Sequence, residues 1–237
     1  MKFDAYTMQA RLLPAFFFMI PFYVELNYYI VKLGFHISLS ATLGNIFLSG
    51  ILLIIGNWCR YKGREIEKQL FEIWDGAPTT RFLRYRNSEY NINNRENVRD
   101  LLRKMYPDLH MPTEKEEKQD PSAADISYEA FVSNLRATTR EDRFSLLHCE
   151  NRNYGMWRNM LAIKPIAISI IVISALLNFG VFIVFEDIMP LKALIAISAG
   201  YILALLFWIL IVNQRRVCDV ANVYAERLFE TCIRRNE

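Results

Sequence analysis

Cysteine, glycine and proline are scarce in this chain, which has 4 Cys, 9 Gly and 8 Pro among 237 residues. So few cysteines exclude a disulfide-stapled scaffold, and the low glycine and proline contents exclude a collagen-like chain. No C-x-x-C pair occurs that would suggest a zinc site, and the four thiols are expected to be reduced because the orientation argued below places them on the cytoplasmic side. Hydrophobic residues make up 53% of the chain and aromatic residues 14%, so a wholly disordered chain is excluded as well.

Charge is missing from long stretches of the sequence. Residues 37–57, 165–185 and 193–213 contain no Asp, Glu, Lys or Arg, and residues 12–31 contain only Glu25. Each stretch has the ~20 residues that a helix needs to cross a hydrocarbon core of about 30 Å. The sequence therefore predicts an all-α integral membrane protein with transmembrane helices over about 12–31, 37–57, 165–185 and 193–213. The alternative, buried helices of a large soluble protein, fits less well because such helices are usually amphipathic.

Lysine and arginine lie mainly at one end of the predicted spans. The loops inside the two hairpins hold only Lys32 and Lys192, whereas the other span ends carry Lys2, Arg11, Arg60, Lys62, Arg64, Arg152, Arg158, Lys164, Arg215 and Arg216. Positive residues accumulate on the cytoplasmic side of membrane proteins. We therefore expect a multi-pass membrane protein with both termini and the middle region in the cytoplasm.

The region between the second and third spans is rich in charge of both signs. Residues 58–164 hold 19 Lys and Arg against 17 Asp and Glu, and strand signals are almost absent from them. We predict a helical cytoplasmic domain at 58–164, inserted between an N-terminal transmembrane hairpin at 1–57 and a C-terminal hairpin at 165–213. Residues 214–237 are expected to form a cytoplasmic C-terminal helix.

Local signals place several helix ends in this domain. The apolar spacing after residue 60 extends the second span as a stalk that stops near Gly76, and Thr113 with Glu116 fits a capping box. Asp120 followed by Pro121 opens a helix. Further expectations are N-caps at Thr80 and Asn94 and a helix break at Gly155.

Known catalytic signatures are missing from the chain: there is no Walker loop, no G-x-G-x-x-G, no H-E-x-x-H and no G-x-S-x-G. His148, Cys149 and Glu150 are consecutive, so on a helix their side chains point in different directions and cannot converge on one ion. We expect no enzymatic activity and no cofactor.

Two groups of arginines are candidate phosphate ligands, because guanidinium groups match phosphate geometry. They are Arg81, Arg84 and Arg86, then Arg136, Arg140 and Arg143. The alternatives are a solvated, salt-bridged face or a surface that contacts anionic headgroups. The segment Trp74–Thr80 between the stalk and these arginines is either a helix stop followed by a Thr cap, or a ligand loop or conformational hinge.

The spans contain small and polar residues that could line a pore between protomers or pack within one protomer. These candidates are Asn45, Ser49, Ser174, Asn178 and Gly200. Glu25 is costly inside a membrane unless it is paired, hydrated or close to an interface.

Several blocks of the sequence together resemble a known family. They are Ala5-Tyr6, Arg11-Leu12-Leu13-Pro14, Trp74 to Thr80, Leu135 to Arg140, Glu150-Asn151 and Tyr154 to Asn159. The set resembles bacterial four-transmembrane effectors of anti-phage defence and is similar to the Hailong-type and CBASS-type membrane effectors.

The resemblance implies a ligand-controlled ion channel or pore that disturbs the membrane potential in abortive infection. It also implies a homo-oligomer, taken as a tetramer, in the lipid bilayer. A partner nucleotidyltransferase would supply a nucleotide or DNA-oligomer messenger. A non-conducting sensor or scaffold that recruits a cytoplasmic partner, and a small transporter, remain alternatives.

Overall fold

A computed structural model describes residues 5–34, 37–87 and 92–234, and every element in this part of the chain is helical. The α-helices are α1 (Leu13–Lys32), α2 (Ile37–Ile73), α3 (Pro78–Leu83), α4 (Ile92–Met105), α5 (Glu114–Gln119), α6 (Pro121–Thr138), α7 (Ser145–Val184), α8 (Leu191–Leu206) and α9 (Gln214–Arg234). Short π-helical segments, Thr7–Leu12 and Phe207–Ile211, precede α1 and follow α8, and a 3₁₀ turn spans Asp142–Phe144. The predicted all-α class is confirmed for these residues.

Within the described residues, four helical segments are long and apolar enough to cross a membrane: Thr7–Lys32, Thr42–Leu83, Ser145–Val184 and Leu191–Ile211. Each includes one of the four predicted apolar stretches or most of it. Two of the helices are much longer than a span. α2 has 37 residues and α7 has 40, roughly 56 and 60 Å at 1.5 Å per residue, against a hydrocarbon core of about 30 Å.

The chain forms two compact units. The first, named here the apolar unit, comprises Met1–Ile66 and Gly155–Val217, and the second, the polar unit, comprises Glu67–Tyr154 and Cys218–Glu237. Both α2 and α7 therefore contribute residues to both units.

The apolar unit has its own core, which includes Phe18, Ile163, Ile171 and Trp208. Phe17 stacks on Phe207 with ring centroids 5.0 Å apart. The core thus joins residues from near the start of the chain to residues near the end of the last apolar helix.

The polar unit packs around Tyr128, Phe131 and Leu135 of α6. α9 completes this core, because Phe229 stacks on Phe82 with ring centroids 4.5 Å apart. Residues 218–234 are therefore an integral part of the polar unit, a contribution that the sequence did not reveal.

Several local predictions are confirmed by the structure. α2 ends at Ile73 and is closed by a hydrogen bond of 2.6 Å from the Gly76 N–H to the Phe71 carbonyl. Thr113 and Glu116 form the predicted capping box. Asp120 caps α6, since its side chain accepts from the Ala123 N–H at 2.9 Å.

Three other local predictions are wrong. α3 has Ala77 as its N-cap and Pro78 in its first turn, so Thr80 lies inside the helix. The helix begins at Pro78 because proline is well suited to the first position of a helix. Asn94 lies inside α4, which begins at Ile92. α7 continues through Gly155 without a break, because packing overrides the weak helix propensity of glycine.

Candidate functional site

Arg84, a predicted phosphate ligand, is buried in the polar unit with only 4% of its surface exposed. Its Nε and Nη2 donate to the two carboxylate oxygens of Asp125, both at 2.7 Å. Its Nη1 donates to the Asp75 carboxylate at 2.9 Å and also to the Asp75 carbonyl. This fork geometry fully engages the guanidinium group with acidic partners of the same chain.

The Trp74–Thr80 segment contributes Asp75, one of the two acidic partners of Arg84. Asp75 has φ 57° and Gly76 has φ 114°, which turn the chain back so that Asp75 faces Arg84. A methyl group on Gly76 would lie 2.6 Å from Arg84 Nη2, so only glycine leaves room for the guanidinium group. Of the two interpretations, this geometry favours the helix stop.

Arg86 and Glu117 extend the network. Arg86 Nη2 donates to Asp125 at 2.9 Å and its Nη1 donates to Glu117 at 3.3 Å. Glu117 is 2% exposed and accepts from the Tyr128 hydroxyl at 2.6 Å and from the backbone N–H groups of Arg86 and Tyr85. Burial alone raises the pKa of Glu117, but these donors and the Arg86 charge lower it on balance.

Two further buried arginines, Arg95 and Arg99 of α4, were missed by the sequence analysis. Arg95 donates to the carbonyls of Arg84 and Asn87. Arg99 is fully buried, donates to the carbonyls of Leu83 and Pro112, and has its guanidinium carbon 3.5 Å from the centroid of the Tyr85 ring. Their spacing of four residues, on the face that carries the buried Val98 and Leu102, was the signal that could have found them.

The remaining predicted phosphate ligands lie nearer the surface of the polar unit. Arg81 is half-buried. Arg136 donates to Thr79 at 3.3 Å and lies 5.7 Å from the Tyr224 ring centroid. Arg140 is exposed, and Arg143 pairs with Glu141 at 2.8 Å.

A cavity of about 190 Å³ in the polar unit brings Arg143 together with Arg227 of α9. Glu230 and Thr231 also line it, and Arg227 donates to Glu230 at 2.7 Å. This carboxylate raises the pKa of Arg227, which keeps the guanidinium group charged. The sequence analysis did not single out Arg227, because its distance from Arg143 along the chain hides their proximity.

A second polar cluster lies inside the apolar unit around Glu25. The Tyr201 hydroxyl donates to Glu25 Oε1 at 2.6 Å, and Asn178 Nδ2 donates to the same oxygen at 3.2 Å. Tyr29 donates to Asn178 Oδ1 at 2.6 Å, and Ser174 hydrogen-bonds the Tyr201 hydroxyl. The carboxylate is thus surrounded by neutral donors, which offsets the cost of its charge in an apolar setting.

This cluster explains two of the predicted pore or packing residues. Asn178 is 2% exposed and Ser174 is 6% exposed, so both pack within the protomer. Asn45 exchanges hydrogen bonds of 3.3 Å with Asn27, and Ser49 is exposed and donates to the Asn45 carbonyl at 2.7 Å. Gly200 is exposed, and a methyl group on it would meet no atom within 4 Å.

No group of three His, Cys, Asp or Glu side chains suited to a metal ion occurs within residues 5–34, 37–87 and 92–234. His148 hydrogen-bonds the Glu141 carbonyl at 3.1 Å. This contact involves the backbone and does not bring His148 together with Cys149 and Glu150.

Comparison with protein-family models, with curated proteins and with solved structures finds no match to this chain. The class of protein is therefore defined by the fold alone. In the part of the chain that the structure describes, every element is helical and four helices are long and apolar enough to cross a membrane.

Proposed function

We propose that this protein is an oligomeric membrane effector of bacterial anti-phage defence. In this proposal a nucleotide or oligonucleotide messenger binds the polar unit in the cytoplasm and controls an ion channel or pore in the inner membrane. Activation disturbs the membrane potential of the infected cell.

The observation that carries the proposal is the continuity of α2 and α7. Each helix is about twice as long as a span requires, and each contributes residues to both units. A ligand that binds two conformations of the polar unit with different affinity shifts their populations. Unbroken helices offer a direct route by which that shift reaches the spans.

An oligomer is supported by the surface of α8. Ala196 and Gly200 are exposed small residues one helical turn apart, and the partly exposed Ala193 and Ala204 continue the same face. Small residues allow close helix approach where apolar surface alone provides no driving force. We propose that this face packs against a second protomer, and that the tetramer is the working assembly.

The messenger site is proposed at the surface arginines of the polar unit. Arg84 is left out because it is buried and its guanidinium group is engaged by Asp75 and Asp125. Arg140 is exposed. Arg143 and Arg227 at the cavity are paired with Glu141 and Glu230 but remain open to solvent. These three arginines can therefore present charge to a phosphodiester backbone.

Binding is tested on the purified full-length protein with a short single-stranded DNA oligonucleotide. We expect Arg140→Glu to weaken binding by about tenfold or more, because it replaces an attraction by a repulsion. Lys104→Glu, which makes the same charge change at another exposed position of the polar unit, is the matched control and should have a small effect. Equal weakening in both variants would remove the assignment of Arg140.

The conducting function is tested in cells with a potential-sensitive dye. Expression together with the partner nucleotidyltransferase under phage infection should depolarise the membrane. Absence of depolarisation under every trigger would favour a non-conducting scaffold.

The Glu25 cluster favours a second candidate function, a small transporter. An intramembrane carboxylate held by Tyr201 and Asn178 is typical of ion or proton pathways. Uptake of a cation into proteoliposomes that is abolished by Glu25→Gln, without any messenger, would support this function against the effector.

A further inference from the structure

The start of the first apolar helix is clamped between two other helices of the apolar unit. A methyl group on Gly56 of α2 would lie 3.4 Å from the Arg11 carbonyl oxygen, and one on Gly155 of α7 would lie 3.2 Å from the Ala10 Cβ. Glycine at both positions therefore lets the segment Thr7–Leu12 approach two helix backbones closely.

Asn159 of α7 fixes this junction. It is 1% exposed, and its Nδ2 donates to the Ala10 carbonyl at 2.7 Å. Gly63 of α2 makes room for it, since a methyl group there would lie 1.8 Å from Asn159 Oδ1. The position of Arg11 is thus set by a buried hydrogen bond and by close backbone packing.

The same face of α2 carries two arginines. Arg60 and Arg64 follow Gly56 at intervals of four residues. They therefore lie on the same face of α2 as Gly56, about one and two helical turns beyond its contact with Arg11. Arg60 is within electrostatic reach of Arg11, Arg64 and Arg158, all of which repel it. The fold therefore concentrates positive charge at one end of the apolar unit.

Arg11, Arg60 and Arg64 have no carboxylate within ion-pair distance among the described residues of the apolar unit. The nearest carboxylate along α2, Glu65, is already bonded to Lys62 at 2.8 Å. Arg11 Nε is buried and has no hydrogen-bond partner among residues 5–34, 37–87 and 92–234. A cluster of like charges is stable only if an anion or solvent screens it, and a partly buried one gains most from an anion.

The location of the cluster indicates the class of anion. Arg11 immediately precedes the apolar stretch of the first span, and Arg60 and Arg64 follow that of the second within seven residues. Antiparallel spans bring these ends to the same side, at the depth of the headgroups. Guanidinium groups bind phosphate through paired N–H donors.

We propose that Arg11, Arg60 and Arg64 form a binding site for a phosphate group at this end of the apolar unit. The phosphate belongs either to an anionic phospholipid headgroup or to a soluble phosphate compound. The site is separate from the messenger arginines of the polar unit and stands whether or not the effector function is correct.

The test uses full-length protein, purified in detergent and stripped of lipid. Native mass spectrometry measures the binding of short-chain phosphatidylglycerol, of phosphatidylcholine with the same chains, and of inorganic phosphate. We expect phosphatidylglycerol to bind more tightly than phosphatidylcholine if the source is a lipid, and inorganic phosphate to compete with it if the source is soluble. Binding of neither anion would overturn the proposal.

The variants Arg60→Gln and Arg64→Gln, combined, should weaken binding by about tenfold or more. Lys62→Gln removes a charge from the same turn of α2 but one already paired with Glu65, so it should weaken binding by less than about twofold. Equal effects of the two changes would show general surface charge and overturn the site.

A measurement on the unaltered protein covers the case in which the double variant fails to fold. Phenylglyoxal modifies accessible arginines, and mass spectrometry locates the adducts. Phosphatidylglycerol or phosphate should protect Arg60 and Arg64 but not Arg103, which lies in the polar unit. Equal modification of all three with and without the anion would contradict the proposal.

Discussion

The two units treat their arginines in opposite ways. In the polar unit the buried Arg84 faces Asp75 and Asp125, and the neighbouring Arg86 faces Glu117. In the apolar unit Arg11 and Arg60 have no carboxylate partner in the described residues. The first arrangement pairs its charges within the unit, whereas the second is the one for which we propose an anion from outside.

The apolar unit also stabilises a carboxylate differently from the polar unit. Glu25 is held by hydroxyl and amide donors, whereas Glu117 receives a guanidinium group as well. Neutral donors stabilise a charge less than an ion pair does but leave the site open to a cation or proton. This comparison predicts that removing a buried charged side chain lowers the free energy of unfolding more in the polar unit than in the apolar unit.

Breaking the Arg84 pairs should have the largest effect. Arg84→Ala removes the bidentate partner of Asp125, which still keeps Arg86 at 2.9 Å, so we expect a loss of about 3 kcal/mol, at the low end for a broken buried pair. Hydrogen exchange of the amides in α4 and α6 of the full-length protein measures the loss. Arg103→Ala, whose pair with Asp100 is exposed, should cost less than about 1 kcal/mol. Equal losses would remove the distinction between buried and exposed arginines.

The Glu117 network should make the polar unit sensitive to acid. Because the folded state lowers the pKa of Glu117, its stabilisation is complete above the ordinary glutamate pKa of about 4.3. It is lost as the pH falls through the lower folded value. Glu117→Gln should cost about 2 kcal/mol at neutral pH and flatten the acid dependence. The measurement is hydrogen exchange of the α6 amides between pH 7 and 3, corrected for intrinsic rates, in the unaltered protein and in Glu117→Gln. Parallel pH profiles of stability in the two proteins would contradict this prediction.

The next largest loss of stability is expected where Gly63 of α2 contacts Asn159 of α7 in the apolar unit. Gly63→Ala places a methyl group 1.8 Å from Asn159 Oδ1, and overpacking of this kind costs about 1 to 3 kcal/mol. Thermal unfolding in detergent reports the change. Gly50→Ala, where a methyl group meets nothing within 4 Å, is the matched control and should leave the unfolding temperature almost unchanged. A similar shift in both variants would indicate a general cost of alanine at these glycines.

The smallest effect is expected at Glu25. Glu25→Ala removes the acceptor of Tyr201 and Asn178, yet hydrogen bonds between membrane helices contribute only about 0.6 kcal/mol on average. We expect a loss near 1 kcal/mol by thermal unfolding in detergent, and less for Glu25→Gln, which keeps an acceptor. A loss as large as that of Arg84→Ala would contradict the predicted difference between the two units.

The sequence predicted those features that depend on local pattern. Uninterrupted apolar stretches revealed the long helices, and side-chain spacing revealed the capping box at Thr113 and the cap at Asp120. Pairings between distant residues stayed hidden, because Arg84 and Asp125 are 41 residues apart and Glu25 and Tyr201 are 176 apart. The candidate phosphate-binding arginines were therefore selected from their grouping along the sequence. Only the fold shows which of them have acidic partners.

The central claim, that a messenger controls conduction through this protein, is tested most directly by flux through proteoliposomes. Purified full-length protein is reconstituted at defined density, and potassium flux is followed before and after addition of a single-stranded DNA oligonucleotide. The account predicts that the oligonucleotide changes the flux and that Arg140→Glu abolishes the change while leaving the oligomer intact. No flux in either condition would contradict it.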